Sequence, residues 1–368
     1  MFGQKVYELS LVKDYVSHWG LAEAARELIQ NALDSDSPFV YSFEPAEGDG
    51  EVSRTWTLHL VSEHSRLEPH HLLLGSTSKA QDSKAIGSFG EGFKIALLVL
   101  TRLGFAAAVQ NNETIWTPMF RHSRTFEREI LCIAERKLSK SEPGLRFSIE
   151  GLSDADRAAI EACCLKMQPE VGQIVRTRFG DILLDRPGEL YVGSLFITKN
   201  DMKFGYNIDP EHISLERDRQ TVNDWDLRCK TRDMWYDTKR YDEIAKMIFD
   251  DVPDLYYARY SAPELVKEAV FEMFKAQHPG AVLAESPSEL KKAIEKGITK
   301  TVYVGGGVHG LLSDYEIYKA HRDDVVPVQT PWMFCTSWLN ANRKALGELN
   351  AKHFEEQVVE ASKGWAVK

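Results

Sequence analysis

Two segments in the first hundred or so residues carry apolar side chains at helical spacing. The pattern predicts a helix over residues 11–35, leading into the turn signal DSDSP, and an apolar helix in FKIALLVLTRLG, from Phe93 onward. At 100° per residue, one arc of the first helix holds only small or aliphatic side chains and would pack on a sheet. The members of this arc are Leu21, Ala25, Leu28, Ile29, Ala32 and Leu33.

Strand-like runs surround these two helices. FVYSF and TWTLHLV lie within residues 37–61, and FAAAVQ, TIWTPMF, REILCIAE and GLRFSIEGL follow the second helix. A helix, a loop, a second helix and consecutive strands are typical of an α+β sandwich, with helices on one face of a mostly antiparallel sheet. We therefore expect this fold class for the first part of the chain.

The pattern changes beyond residue 152. SDADRAAIEACCLKM and WDLRCKTRDMWYDTKRYDEIAKMIFDDV predict helices, whereas GDILL and ELYVGSLFITK predict strands. Further on, AVLAE, SPSELKKAIEKG and TVYVGGG form a β–α–β pattern, and the tail from SWLNANRK onward is predicted to be helical. We expect a first domain over 1–160, a middle segment over 161–260 and a C-terminal α/β and helical region over 261–368.

The composition is that of an ordinary soluble protein, with 43% apolar and 27% charged residues and a formal net charge of −10. No apolar run approaches the roughly 18 residues of a membrane span, and the N-terminus lacks the apolar core of a signal peptide. The five cysteines show no zinc-site spacing, which favours thiols in a reducing compartment. We therefore expect a cytoplasmic protein without a membrane partner and without a dominant non-specific hold on nucleic acid.

The polar side of the first helix carries candidate chemistry. Glu27, Asn31 and Asp34 stand at i, i+4 and i+7, with Glu23 and Gln30 beside them. A carboxylate there can orient and deprotonate a water molecule, an amide oxygen suits Mg²⁺, and a second carboxylate can anchor the helix end or bond toward a ligand. The alternative is a surface helix whose polar face is simply solvated.

A glycine-rich loop precedes the second helix. Residues 75–94 read GSTSKAQDSKAIGSFGEGFK, with a G-x-x-G-x-G run that leads into the helix. Glycines let the backbone approach phosphate oxygens, and the helix N-terminus favours an anion. The run matches neither a P-loop nor a Rossmann fingerprint, so those nucleotide folds are disfavoured. An ordinary loop ahead of a buried helix is the alternative.

Together these segments resemble the GHKL superfamily, the Bergerat-fold ATPases. RELIQNALDS is similar to the N-box of its chaperone and MORC-type members, and GSFGEGFKIA to the glycine box that closes the ATP lid. The resemblance covers roughly residues 10–150 and implies a Bergerat-type sandwich, with Glu27 as general base and Asn31 as Mg²⁺ ligand. It implies ATP contacts from Asn31, Asp34, Lys79, Gly87, Ser88, Phe89, Gly90, Glu91, Gly92, Phe93 and Lys94.

The chain departs from this family where the base would be recognised. The family has Asp-x-Gly-x-Gly after a strand, and its Asp binds the adenine amino group. Here TWTLHLV is followed by Ser62-Glu63-His64-Ser65-Arg66-Leu67, without glycines. Glu63 could still accept a hydrogen bond from adenine, and Ser62 could do so through water.

A second charged segment resembles another family element. Residues 214–220, SLERDRQ, are similar to the middle-segment loop of the chaperone ATPases, in which an arginine reaches the γ-phosphate. The resemblance implies that role for Arg217 or Arg219, with Lys199 or Lys203 as substitutes. A surface salt-bridge cluster is the alternative.

The sequence therefore predicts a Mg²⁺-dependent ATPase. We expect nucleotide to drive lid closure and hydrolysis to gate a conformational change coupled to the region beyond residue 160. Family analogy adds homodimerisation on ATP binding and action on a protein or nucleic-acid partner. The alternative prediction is a nucleotide-gated clamp with little or no hydrolysis, because the adenine-recognition motif is degenerate.

Overall fold

The computed structural model divides the chain into two compact units, residues 1–230 and 231–368. The three-part division at residues 160 and 260 stays a prediction. The structure describes residues 5–46, 55–73, 91–215, 221–284, 286–288, 290–291, 300–324 and 331–362.

A seven-stranded sheet organises the first unit. Its order is β1-β6-β5-β4-β7-β3-β2, and every neighbouring pair is antiparallel. The strands are β1 (Lys5–Val12), β2 (Val40–Pro45), β3 (Trp56–Ser62), β4 (Ala106–Asn111), β5 (Thr114–Ser123), β6 (Arg128–Lys137) and β7 (Leu145–Leu152). Together with the helices described in the next paragraph, this sheet confirms the predicted α+β class.

Two helices pack against each other and on this sheet, α1 (Leu21–Leu33) and α2 (Gly92–Leu103). The expectation of helix from residue 11 is wrong, because β1 pairs with β6 along residues 5–12 and α1 begins only after Gly20. A third helix, α3 (Asp154–Ala162), starts at the cap residue Ser153 and contacts α1. The shared apolar core lies between these helices and the sheet.

A second sheet of five strands completes the first unit, in the order β11-β10-β12-β9-β8. Its strands are β8 (Ile174–Thr177), β9 (Gly180–Leu183), β10 (Glu189–Val192), β11 (Leu195–Lys199) and β12 (Gly205–Ile208). The run ELYVGSLFITK, predicted as strand, is the β10–β11 hairpin, which turns at Gly193 and Ser194 with positive φ. The pair β10–β12 is parallel, and β8 and β12 were not predicted.

The second unit is mainly helical. Helix α4 (Asp224–Asp237) crosses the boundary, followed by α5 (Tyr241–Phe249), α6 (Glu264–Gln277), α7 (Gly306–Ser313), α8 (Glu316–Asp324), α9 (Pro331–Leu346) and α10 (Glu348–Ser362). Strands β13 (Val282–Ala284) and β14 (Thr301–Tyr303) pair in parallel, as a β–α–β pattern requires. The tail is two helices rather than one, because Gly347 adopts φ +71° between them.

Two absences hold within the part of the chain that the structure describes. None of its helices combines the length and apolar character needed to cross a membrane. No three or more of its histidines, cysteines, aspartates and glutamates converge on a possible metal position.

Candidate functional site

The polar side of α1 is buried rather than solvated at two of its residues. Glu27 is 2% exposed and Gln30 3% exposed, whereas Asn31 and Asp34 are partly exposed. The opposite arc packs in the core as predicted, with Ala25, Leu28, Ile29 and Ala32 buried. Burying a carboxylate is costly unless it is paired or functional, so a plain solvated surface does not describe this helix face.

The amide of Asn31 is oriented by its own helix. Its Nδ2 donates a hydrogen bond to the Glu27 carbonyl oxygen at 2.8 Å. That bond uses the amide nitrogen, so Oδ1 is the atom that can coordinate a cation. Beside it, no donor within the described ranges reaches the buried Oε1 of Gln30. This face of α1 therefore offers side-chain oxygens to a bound cation or hydrogen-bond donor.

Both ends of α1 are held in place. At the start, Glu23 Oε2 accepts a 2.8 Å hydrogen bond from the Gly20 N–H, which caps the helix. After the last turn, Ser37 Oγ accepts a 2.9 Å hydrogen bond from the His64 N–H. The C-terminal end of α1 and the loop that follows β3 are therefore adjacent, as the predicted site requires.

The loop after β3 is fixed by side chains from neighbouring strands. Asn111, at the end of β4, accepts from the Leu67 N–H at 3.2 Å and donates from Nδ2 to the Leu67 carbonyl at 2.6 Å. Gly144, with φ +93°, lies so close that a Cβ there would be 2.9 Å from Glu63 Cα. Ser62 is buried and Glu63 is exposed. Their predicted contacts with adenine stay predictions.

The glycine-rich loop lies mostly outside the described residues, which resume at Glu91. Lys79, Gly87, Ser88, Phe89 and Gly90 are among those not described. At the described end, Glu91 caps α2, and its carbonyl accepts from the N–H groups of residues 94 and 95 at 3.1 Å. Gly92 and Phe93 are buried in the helix–sheet core, where Phe93 contacts Phe147 with ring centroids 6.2 Å apart.

Lys94 has a role that its position in the sequence did not reveal. Its side chain is 0% exposed, and the ammonium donates to the carbonyls of His71 at 2.9 Å and Leu73 at 2.5 Å. Burial lowers the pKa of Lys94 from its ordinary value. The ammonium thus holds the chain immediately ahead of the glycine-rich segment, and a phosphate contact stays a prediction.

The predicted γ-phosphate contacts fall into two groups. Arg217 and Arg219 lie in residues 216–220, outside the described ranges. Of the substitutes, Lys199 ends β11 and forms an ion pair with Glu189 at 3.4 Å, while Lys203 lies over the Phe204 ring at 5.4 Å. Because neither arginine is described, the γ-phosphate role of Arg217 or Arg219 stays a prediction.

Comparison with known proteins adds a relative but no activity. No protein-family model matches the chain. An uncharacterized protein of Mycoplasma pneumoniae is 26% identical over 223 residues, which cover 58% of this chain and 89% of that protein. The functional argument therefore depends on the residues themselves.

Proposed function

We propose that the first unit is a Mg²⁺-dependent, ATP-binding and ATP-hydrolysing domain of the Bergerat GHKL type. The observation that carries the proposal is the buried Glu27 one turn before Asn31 on α1. This helix packs against α2, which begins where the G-x-x-G-x-G run ends. The motif order and the helix pair on an antiparallel sheet agree with that reading.

The described residues fit a magnesium nucleotide. Asn31 Oδ1 is a hard oxygen ligand, and phosphate oxygens would complete the coordination of Mg²⁺. The buried Gln30 Oε1 is an acceptor to which a bound water or ligand could donate. When bound, Mg²⁺ would neutralise charge on the phosphates.

The residues of this chain then divide the work of hydrolysis. Glu27 would orient the attacking water and accept its proton, a role that burial supports because it fixes the carboxylate in one place. Lys94 holds residues 71–73, so it positions the chain that enters the glycine-rich lid. Lid closure would exclude water from the phosphates and couple hydrolysis to a protein or nucleic-acid partner, with homodimerisation expected by family analogy.

The second candidate is a nucleotide-gated clamp with little or no hydrolysis. It is favoured by the loop after β3, which lacks glycines and is held by Asn111 and Ser37. A base bound there would meet a different surface from the family's adenine pocket. Tight binding without turnover would select this candidate.

One experiment separates the two candidates. Mg²⁺-dependent ATP binding and phosphate release are measured for the wild-type chain, Glu27→Ala and Asn31→Ala. We expect Glu27→Ala to bind ATP without releasing phosphate and Asn31→Ala to lose Mg²⁺-dependent binding. Unchanged turnover in Glu27→Ala contradicts the general-base assignment, and no binding of any purine triphosphate contradicts both candidates.

A further inference from the structure

A cavity of about 520 Å³ lies in the first unit, on the side of α1 next to the proposed nucleotide face. Ala22, Glu23 and Arg26 line it from α1, and residues of α3, β10 and β11 form the other walls. On the helix these three residues precede Glu27 and Asn31. At 100° per residue Glu23 shares the polar stripe of Glu27, whereas Ala22 and Arg26 lie to one side of that stripe. The volume suits a small organic molecule rather than a few waters.

Cationic side chains outnumber carboxylates in this cavity, and one of them, Arg186, donates to the Val171 and Glu170 carbonyls at 2.8 Å. Three cations line it, Arg26, Arg186 and Lys199, against two carboxylates, Glu23 and Glu189. Each carboxylate already accepts hydrogen bonds. Glu23 caps α1, and Glu189 accepts from Tyr191 at 2.8 Å and from Arg186 at 3.3 Å besides its ion pair with Lys199. The formal excess is therefore one positive charge.

The remaining lining is apolar or uncharged. Ala159 and Ala162 of α3 face Phe196 and Ile197 of β11 across the cavity lining, and Tyr191 packs on Phe196 with ring centroids 5.4 Å apart. Burial raises the pKa of the Cys163 thiol to about 11, so that side chain adds no negative charge at neutral pH. An apolar body with an acidic group matches these walls.

We propose that this cavity is a binding site for a small organic anion with an aromatic or aliphatic body. The ring system would contact the alanines of α3 and Phe196. The acidic group would meet Lys199, whose side chain is 69% exposed and which, among the described residues, pairs with Glu189 at 3.4 Å. The proposal does not require ATP hydrolysis, because neither Glu27 nor Asn31 lines the cavity. Lys199, which also stands as a substitute γ-phosphate contact, is the residue common to both proposals.

The probe is 8-anilinonaphthalene-1-sulfonate, an aromatic anion that fluoresces when it leaves water. We measure its Kd for the full chain, for Ala162→Leu, which adds bulk at an exposed position of the cavity lining, and for the matched Ala158→Leu, an exposed residue of the same helix that does not line it. We expect one saturable site, about tenfold weaker in Ala162→Leu and unchanged in Ala158→Leu. Equal effects of the two variants, or no saturable binding, overturn the site.

Charge recognition has its own control. N-phenyl-1-naphthylamine has the same rings without the sulfonate, so we expect it to bind more weakly. Lys199→Gln should weaken sulfonate binding about two- to fivefold, while Lys166→Gln, an exposed lysine outside the cavity, should not. Equal affinity for the two probes overturns the anion assignment. Competitive displacement of the sulfonate by Mg-ATP overturns the separate site and assigns the cavity to nucleotide.

Discussion

Two adjacent groups of side chains on α1, which meet at Gln30 and Glu23, offer opposite chemistry from a single helix. One group presents the oxygens of Glu27, Gln30 and Asn31, of which the first two side chains are almost fully buried. The other borders a cavity in which three cations outnumber two carboxylates that already accept hydrogen bonds. The first group suits a cation and its water, and the second suits an organic anion.

The difference teaches how local and distant residues build a site. The oxygen-bearing side lies within two turns of helix, so its geometry follows from the helical period alone. The donor-bearing cavity combines side chains that are far apart in the chain, such as Arg26, Cys163 and Lys199. Four predictions test how far the two groups of side chains act separately.

The largest expected effect is on turnover. Glu27→Ala should lower the kcat for ATP hydrolysis by about 10²- to 10⁴-fold, because the general base is lost. The cavity-lining Ala162→Leu should leave kcat within about twofold, since the cavity wall contains neither Glu27 nor Asn31. Phosphate release under saturating Mg-ATP measures both values of kcat. An equal loss of kcat in Ala162→Leu would indicate that the cavity and the proposed ATP site are a single site.

The next effect concerns Lys94, a buried cation near the proposed nucleotide site that donates to two main-chain carbonyls. Lys94→Ala should lower the free energy of unfolding by about 2–4 kcal/mol, because it leaves a cavity and two carbonyls without their donor. Lys94→Met keeps the apolar stem and should lose less. Urea unfolding followed by circular dichroism tests both, and wild-type stability in Lys94→Ala would contradict the holding role.

A smaller effect, dependent on pH, belongs to the cavity side. Burial alone would raise the pKa of Glu189, but hydrogen bonds from Tyr191, Lys199 and Arg186 outweigh it and lower the pKa below the ordinary 4.5. The stabilisation is therefore complete above that value and is lost as pH falls through the lower folded-state pKa.

Glu189→Gln removes this titration. We expect it to lower the unfolding free energy by about 1–2 kcal/mol at pH 7, because charge-assisted hydrogen bonds become neutral ones. Below about pH 5 the difference from wild type should shrink. Denaturation curves between pH 3 and pH 7 measure it, and parallel pH profiles would show that the ion-pair network does not stabilise the fold.

The smallest effect sharpens the assignment of Glu23. Because its carboxylate caps α1, Glu23→Ala should lower the unfolding free energy by about 0.5–1 kcal/mol. Binding of the naphthalene sulfonate should stay within about twofold, since the exposed mouth of the cavity screens charge. A thermal melt and a probe titration on the same variant suffice. A large gain in affinity for the sulfonate probe would mean that the Glu23 carboxylate repels the bound anion.

Prediction from sequence succeeded where structure follows from short-range pattern. The apolar arc of α1, the apolar helix α2 and the six strands β2 to β7 around them lie where periodicity predicts. It failed at β1, whose strand state depends on pairing with β6 more than a hundred residues away. The break at Gly347 was also missed, although a glycine between helical segments was a visible signal.

What the sequence by itself determined is the stripe on α1 and the glycine run before α2, because spacing within one helix or loop needs no information from elsewhere in the chain. Only the tertiary structure decided that Glu27 is buried, that the Lys94 ammonium bonds to main-chain carbonyls, and that Asn111 clamps the loop after β3. The cavity beside α1 also follows only from the tertiary structure. Burial and hydrogen-bond partners depend on which distant segments pack together, and no local pattern encodes that.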